Sequence, residues 1–405
     1  MNDHLRPNLN LSRNDIDYLL SPLAIRDRAK VIFNLTTQGK TSFIYHPDKL
    51  QPTVDYVLQV IHKNYPDLKI PFHSRWGHFR VGGHDRVKDL DRRLSTMTSL
   101  ERARTKLDLV VTSVLLDAGA GPTWKFTEKE TGGVYTRSEG LGVASLHMFL
   151  SGVMSSDRKS LRADREGLSR VTVADLEKSF QVGQQNPLVG ALGRILLLNN
   201  LAKALTNDEI FPGGRPGGII DYLTRRFGKT VHAPDILRAV LDGLGPIWPG
   251  RLESHGINLG DIWQHSSGLV PFHKLSQWMT YSLIEPIMEA GVTVDGVEKL
   301  TGLAEYRNGG LLLDSGLVTL KNPDDASKAW KPDSELIIEW RALTIYLLDE
   351  IGALIQKALG KTPQDFPLAK VLEGGTWWAG RFLAQGKRPE SGDPPLKIQS
   401  DGTVF

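Results

Sequence analysis

The chain has 405 residues, 40% hydrophobic and 23% charged, a balance that fits a folded globular protein and confines disorder to the termini. Its 49 basic and 46 acidic residues leave a net charge of +3, too small and too evenly mixed for a nucleic-acid binder. The absence of cysteine excludes disulfides, thiolate zinc sites, all-cysteine iron–sulfur clusters and a cysteine nucleophile, and fits a reducing cytosol.

The N-terminus, MNDHLRPNLNLSRNDIDYLL, lacks the basic-then-apolar pattern of a secretory signal. No segment reaches the roughly 20 apolar residues a membrane helix needs. A soluble, cytoplasmic chain without membrane or nucleic-acid partners is expected. Residues 40–45 carry the first weak strand signal, and helical spacing predicts a helix over 50–64. In HSRWGHFRVGGHDR, His73, His78 and His84 have neither HExxH spacing nor an acidic ligand at a familiar offset, so no metal site is expected. The basic run from Arg75 to Arg104 is interleaved with Asp85, Asp89, Asp91 and Glu101 and reads as a solvated helical face.

Helices are predicted over 99–116, 186–205, 235–244, 275–291 and 334–359. The loop FPGGRPGG at 211–218 reads as a helix–helix connection, and GPIWPG spans 245–250. Residues 309–314 (GGLLLD) and 316–321 (GLVTLK) fit one small hairpin. The expected fold is mainly α, with a few short strands. No repeat or long linker divides it, so residues 1–405 read as one compact unit. Within that unit, 1–105 form an N-terminal portion and 106–405 the helical core.

Neither GxxxxGK[ST], a strand-borne GxGxxG nor GxSxG occurs, and no cofactor is expected. What remains is a set of polar and aromatic residues in apolar helical context. Asp117 closes VVTSVLLD, ahead of Trp124; Arg137 and Glu139 lie in YTRSEGLG; Trp248 and Arg251 lie in GPIWPGR. Asp261 lies in LGDIWQH, Lys274 and Gln277 share a helical turn, and Glu305, Tyr306 and Arg307 end LTGLAEYR. Each has a plain structural explanation taken singly: a cap, a solvated face, a core aromatic, an ion pair. Together they suit a small polar ring or sugar, with aromatic walls and a cationic phosphate anchor.

The segments LTGLAEYRNGGLLLDSG, EWRALTIYLLDEI, LEGGTWWAGR and the closing SDGTVF resemble the uracil catabolism protein 4 family of fungi and bacteria, essentially end to end. The resemblance implies a place in a uracil degradation route through uridine monophosphate and a ribosylurea-type intermediate. In patches over its C-terminal two-thirds, the chain is also similar to the queuosine 5′-phosphate N-glycosylase family. That family has an all-helical fold related to DNA glycosylases. The matching order is Asp117 with Trp124, Trp248 to Asp261, Lys274 with Gln277, and Glu305-Tyr306-Arg307, although that family has Asp where Glu305 stands.

These resemblances imply an N-glycosidase-type hydrolase that cleaves the ribosyl C–N bond of ribosylurea or its 5′-phosphate and releases urea. Glu305 and Asp117 are the expected catalytic carboxylates. Trp124, Arg137, Glu139, Trp248, Arg251, Asp261, Lys274, Gln277, Tyr306 and Arg307 are the expected substrate-binding residues, and the partner is a small ribosyl molecule. The alternatives are a non-catalytic binding or channelling protein of the same route and a hydrolase of an amide or ureido bond in the intermediate.

Overall fold

A computed structural model describes residues 8–248 and 251–399. Packing groups the chain into two units, each assembled from separate stretches. Unit 1 takes the described residues up to 73, with 251–277 and 296–399, and unit 2 takes 74–248 and 278–295. Residues 1–105, set apart in the sequence, are thus divided between the units. The fold is mainly α, and its strands are only two to four residues long. No helix among the described residues is long and apolar enough to cross a membrane.

Unit 1 is organised by the helix Glu335–Leu359, whose inner face carries Leu336, Ile337, Ile338, Leu343 and Ile351. At 1.5 Å per residue it runs roughly 37 Å, long enough to support several partners. Helix Pro22–Thr37 packs on it, and Ile25, Ala29, Ile32, Ile338, Ala342 and Ile345 share one core with Val270 and Phe272. The last two belong to a hairpin, Ile262–His265 with Gly268–Pro271, and the residue after it. The Leu50–Asn64 helix has the bounds its periodicity predicts.

The expected hairpin at 309–321 does not form. Residues 309–314 lie within the helix Tyr306–Asp314, and Val318–Leu320 pairs antiparallel with Phe43–Tyr45, the other weak strand signal. Close packing explains the exchange. A Cβ on Gly309 would lie 2.7 Å from the Trp340 ring, and one on Gly380 would lie 2.1 Å from Arg307 O. Gly309 thus admits the Trp340 ring, and Gly380 lets helix Trp377–Lys387 meet the backbone of helix Tyr306–Asp314.

Unit 2 surrounds the helix Ser99–Leu115, which is buried on all sides from Thr105 to Leu115. A helix buried all round must pair its polar side chains internally. Asp108 does so: its carboxylate accepts from Arg215 Nη2 at 2.6 Å, Gly217 N at 2.6 Å and Ala163 N at 3.3 Å. It thereby fastens the FPGGRPGG loop to the core. Arg137–Leu150 and Ala191–Ala204 pack against this helix, and Ile219–Phe227 and Ala233–Leu244 belong to the same unit. The helix predicted from 186 begins only at Ala191, because Gly190 stands before it at φ +75°. Two small pairings complete the unit: Lys125–Thr127 with Val134–Thr136, and Thr230–His232 with Thr293–Asp295.

Candidate functional site

The clearest polar cluster of unit 2 is centred on Arg75, which is 0% exposed. Residues 75–104 are therefore not one solvated face. Arg75 and Arg86 are both buried, and Arg86 forms a two-point pair with Glu128 at 2.6 and 2.5 Å. Burying a guanidinium demands partners for its five N–H groups. Arg75 Nε donates to Ser113 Oγ at 2.6 Å, Nη1 to Asp117 Oδ1 at 2.7 Å and to His78 Nδ1 at 2.9 Å, and Nη2 to Ser113 O at 3.3 Å. Its own backbone N–H reaches Ser282 Oγ at 2.9 Å.

Asp117 lies just beyond the end of the buried helix, with its side chain 11% exposed. Ser138 Oγ lies 2.8 Å from its Oδ1 and 2.6 Å from its Oδ2. Ser138 is the second residue of helix Arg137–Leu150, and Arg137 itself sits at φ +53°, a backbone state that side chains rarely adopt. Because Arg75 can only donate, His78 Nδ1 accepts, which leaves the proton of the neutral ring on Nε2. The Trp278 ring covers both groups, 5.6 Å from the Arg75 guanidinium and 5.7 Å from the His78 ring. Its Nε1 is buried without a hydrogen-bond partner among the described residues.

A second buried arginine fixes the loop after Asp117. Arg194 donates to the carbonyls of Leu116, Ala118, Gly119 and Val189. Burial pushes its guanidinium down to about 10, against the pull of Asp117, and it stays cationic at neutral pH.

Unit 1 holds the other expected site residues. Asp261 accepts from Arg341 through both oxygens, at 2.9 and 2.7 Å, from Trp263 Nε1 at 2.6 Å and from the backbone N–H of Lys274 at 3.0 Å. Burial pushes this carboxyl up, but Arg341, Trp263 and the Lys274 amide outweigh it and hold it well below the usual range. Arg251 stacks over Trp263 at 5.4 Å. Gln277 is fully buried and bonds Thr301 at both ends of its amide.

Glu305 caps the helix Tyr306–Asp314: its two oxygens accept from Asn308 N at 2.7 Å and Arg307 N at 2.8 Å. The EYR motif therefore opens a helix. The Arg307 guanidinium lies over Tyr306 at 5.1 Å and donates to Gly392 O at 2.7 Å.

The expected residues thus fall into separate groups. Asp117, with Arg137 and Glu139 flanking Ser138, belongs to unit 2, as do Trp124 and Trp248. Arg251, Asp261, Lys274, Gln277, Glu305, Tyr306 and Arg307 belong to unit 1. Trp124 is core: its ring is buried against Phe180, and its Nε1 donates to Phe180 O at 3.0 Å. Trp248 is half-buried. Reading the sequence missed Arg75, His78, Ser138 and Arg341. Arg341 had a usable signal, a lone cation in the apolar helical stretch EWRALTIYLL. Arg75 had none, because it stands in a run of histidines and arginines that reads as solvent-facing.

The three histidines of HSRWGHFRVGGHDR take three different partners: Glu373 for His73, Arg75 for His78 and Asp89 for His84. A grouping with metal-like spacing, also missed, is Glu128, Glu130 and His147. Both Glu128 oxygens there are already engaged by Arg86.

A family model described as "Protein of unknown function (DUF1688)" matches residues 18–405. "Protein urg3" of Schizosaccharomyces pombe is 40% identical over 98% of this chain and 100% of its own length. "Uracil catabolism protein 4" of Lachancea kluyveri is 38% identical over 97% of this chain and 99% of its own. With such similarity over nearly the whole length of both relatives, the chain belongs to the uracil catabolism protein 4 family.

Proposed function

We propose that this protein is an enzyme of uracil catabolism that hydrolyses the ribosyl C–N bond of ribosylurea or its 5′-phosphate. The relatives' printed names support the pathway. The observation that carries the chemistry is Asp117, a carboxylate fixed by a fully buried arginine and a serine hydroxyl yet retaining some exposure.

In the proposed reaction, water adds to the anomeric carbon as the C–N bond breaks. The bonding pair goes to the urea nitrogen, which takes up a proton, and the water gives one up. The net change is ribosylurea and water to urea and ribose. Positive charge develops on the sugar, and a preoriented carboxylate stabilises it without having to reorganise. Asp117 takes that role and orients the water. Arg75 orients the Asp117 carboxylate, which takes up the proton of the attacking water, and the departing nitrogen takes its proton from solvent. Trp278 Nε1 has no acceptor among the described residues, and the proposal assigns it a ligand oxygen.

Glu305 has a positioning role for its own helix in this proposal: its carboxylate is occupied at the helix start, where it accepts from the backbone N–H groups of Arg307 and Asn308. The test compares folded Asp117→Asn and Glu305→Gln in an assay for urea release from ribosylurea. The proposal expects loss of turnover in the first with substrate binding preserved. Full activity in Asp117→Asn would remove Asp117 from the mechanism.

A further inference from the structure

The motif LEGGTWWAGR takes no part in the chemistry above, yet it contains the most irregular helical turn among the described residues. Helix Leu368–Val371 passes into a π-helical turn, Leu372–Thr376, before helix Trp377–Lys387 continues. Such turns place one extra residue in a helix and are frequent at functional sites, because they re-aim side chains at the expense of regular bonding. Two glycines make this one fit. A Cβ on Gly374 would lie 2.5 Å from Ile70 Cδ1, and one on Gly375 would lie 2.7 Å from Val57 and 2.9 Å from Ile61.

The residue that the turn presents is Glu373, whose Oε2 lies 2.7 Å from His73 Nδ1. A carboxylate accepts, so Nδ1 carries the ring proton and Nε2 of the neutral ring keeps its lone pair. His73 is held by its own backbone as well, since its N–H donates to Ala369 O at 2.9 Å. The side chain is 10% exposed, and no described residue bonds Nε2. The Tyr65 hydroxyl reaches the other Glu373 oxygen at 3.4 Å, and burial together with Glu373 pushes that phenol up to about 12, so it stays a donor. Asn64, next to Tyr65, has a buried Nδ2 with no partner among the described residues.

Flat apolar surface and positive charge stand beside this dyad. The Trp377 ring is half-buried and 6.1 Å from the His73 ring. The Arg381 guanidinium lies over both Trp377 and Trp378, at 5.4 and 5.3 Å. A fixed proton acceptor, an aromatic face and a cation beside the π turn match a planar molecule with an acidic N–H flanked by carbonyl oxygens. A plain structural ion pair would need neither the π turn nor an oriented, unbonded Nε2.

We propose that this turn builds a second small-molecule site, from residues other than the Asp117 cluster, for a planar N–H acid of the imide or ureide class. His73 Nε2 accepts the acidic N–H, Glu373 sets the imidazole tautomer, and the Trp377 ring is the stacking face. The site is independent of the hydrolytic proposal and survives its failure.

The test uses the full-length protein with uracil as the imide probe, read by calorimetry and by nitrogen NMR of the histidine rings. Saturable binding is expected, with a shift of the His73 Nε2 resonance. Affinity should weaken about tenfold or more in Trp377→Leu and in Glu373→Gln, and stay within about twofold in Asp117→Asn. Because His73→Asn can unfold the segment, Glu373→Gln serves as the milder probe: its ring should lose the fixed tautomer while Trp377 stays in place. No saturable binding, or unchanged affinity in both Trp377→Leu and Glu373→Gln, would overturn the proposal. Binding lost only in Asp117→Asn would also overturn it and move the imide to the Asp117 cluster. Urea release from ribosylurea, measured on the same preparations, reports separately on the hydrolytic reading.

Discussion

Arg75 Nη1 donates to Asp117 Oδ1 at 2.7 Å, and Arg75 is closed to solvent while Asp117 is not. This asymmetry matters chemically. The cation is locked in the core by Ser113, His78 and the ring of Trp278, so the carboxylate it holds is oriented before any ligand arrives.

Removing the charge at that point should be costly to rate and cheap to fold. Asp117→Asn is expected to lower turnover by a factor on the order of a hundred or more while substrate affinity persists, as for loss of one preorganised group. Steady-state kinetics of urea release, with circular dichroism to verify folding, checks this. Turnover within tenfold of normal would contradict it.

Arg75 itself should be structural as well as electrostatic. Arg75→Met leaves Asp117 without its paired cation and removes a donor from Ser113 Oγ and from His78 Nδ1. Breaking a buried pair this way costs about 3–5 kcal/mol. Chemical denaturation should report a loss of that size, and an unchanged midpoint would show that Arg75 is not the organising residue of unit 2.

Glu305→Gln should separate positioning from chemistry. The side chain accepts two backbone N–H groups at a helix start, so its loss is expected to cost about 0.5–2 kcal/mol of stability. Turnover should fall less than in Asp117→Asn. A larger fall than in Asp117→Asn, in equally folded protein, would transfer the catalytic role to Glu305.

The paired carboxyls predict an acid limit to stability. Burial raises Glu128, but Arg86, Thr131 and His147 outweigh it and bring it to about 2, and Arg341 does the same for Asp261 in direction. Both folded values lie below the unfolded ones. Their stabilisation is therefore complete above the ordinary carboxyl range near 4 and is lost as pH falls through the folded values. Denaturation midpoints measured from pH 6 to pH 2 should fall steeply at the acid end, and Arg341→Met should flatten part of that fall. A flat profile in the unaltered protein would contradict the assignment.

Chelation is expected to leave turnover intact, because no step of the proposed hydrolysis requires a metal. Loss of activity on chelation, restored by a divalent ion, would direct attention to Glu128, Glu130 and His147.

Much of the helical scaffold was legible in the residues, because apolar periodicity is a local property. The helices Leu50–Asn64 and Glu335–Leu359 have almost the bounds their patterns predict. The pairing of Phe43–Tyr45 with Val318–Leu320 was not legible, because strands of three residues carry little register information and the partners are far apart in sequence. The same distance hid the partners of the polar residues. A helix cap was one plain explanation for Asp117, but Asp117 pairs with Arg75, whereas Glu305 caps a helix. Arg75 sits in a basic run that reads as solvent-facing, and only the fold shows Ser113, Asp117 and Ser138 converging on it. Gly374 and Gly375 admit a π turn against Ile70 and Val57, contacts that no local pattern announces.

The most direct test of the hydrolytic proposal is the incubation of pure protein with synthetic ribosylurea and, separately, with its 5′-phosphate, followed by quantification of urea and the freed sugar. Equimolar urea and ribose, or urea and ribose 5′-phosphate, are predicted, with release abolished or strongly reduced in Asp117→Asn. Absence of urea from both compounds, or ammonia appearing in its place, would contradict cleavage of the ribosyl C–N bond.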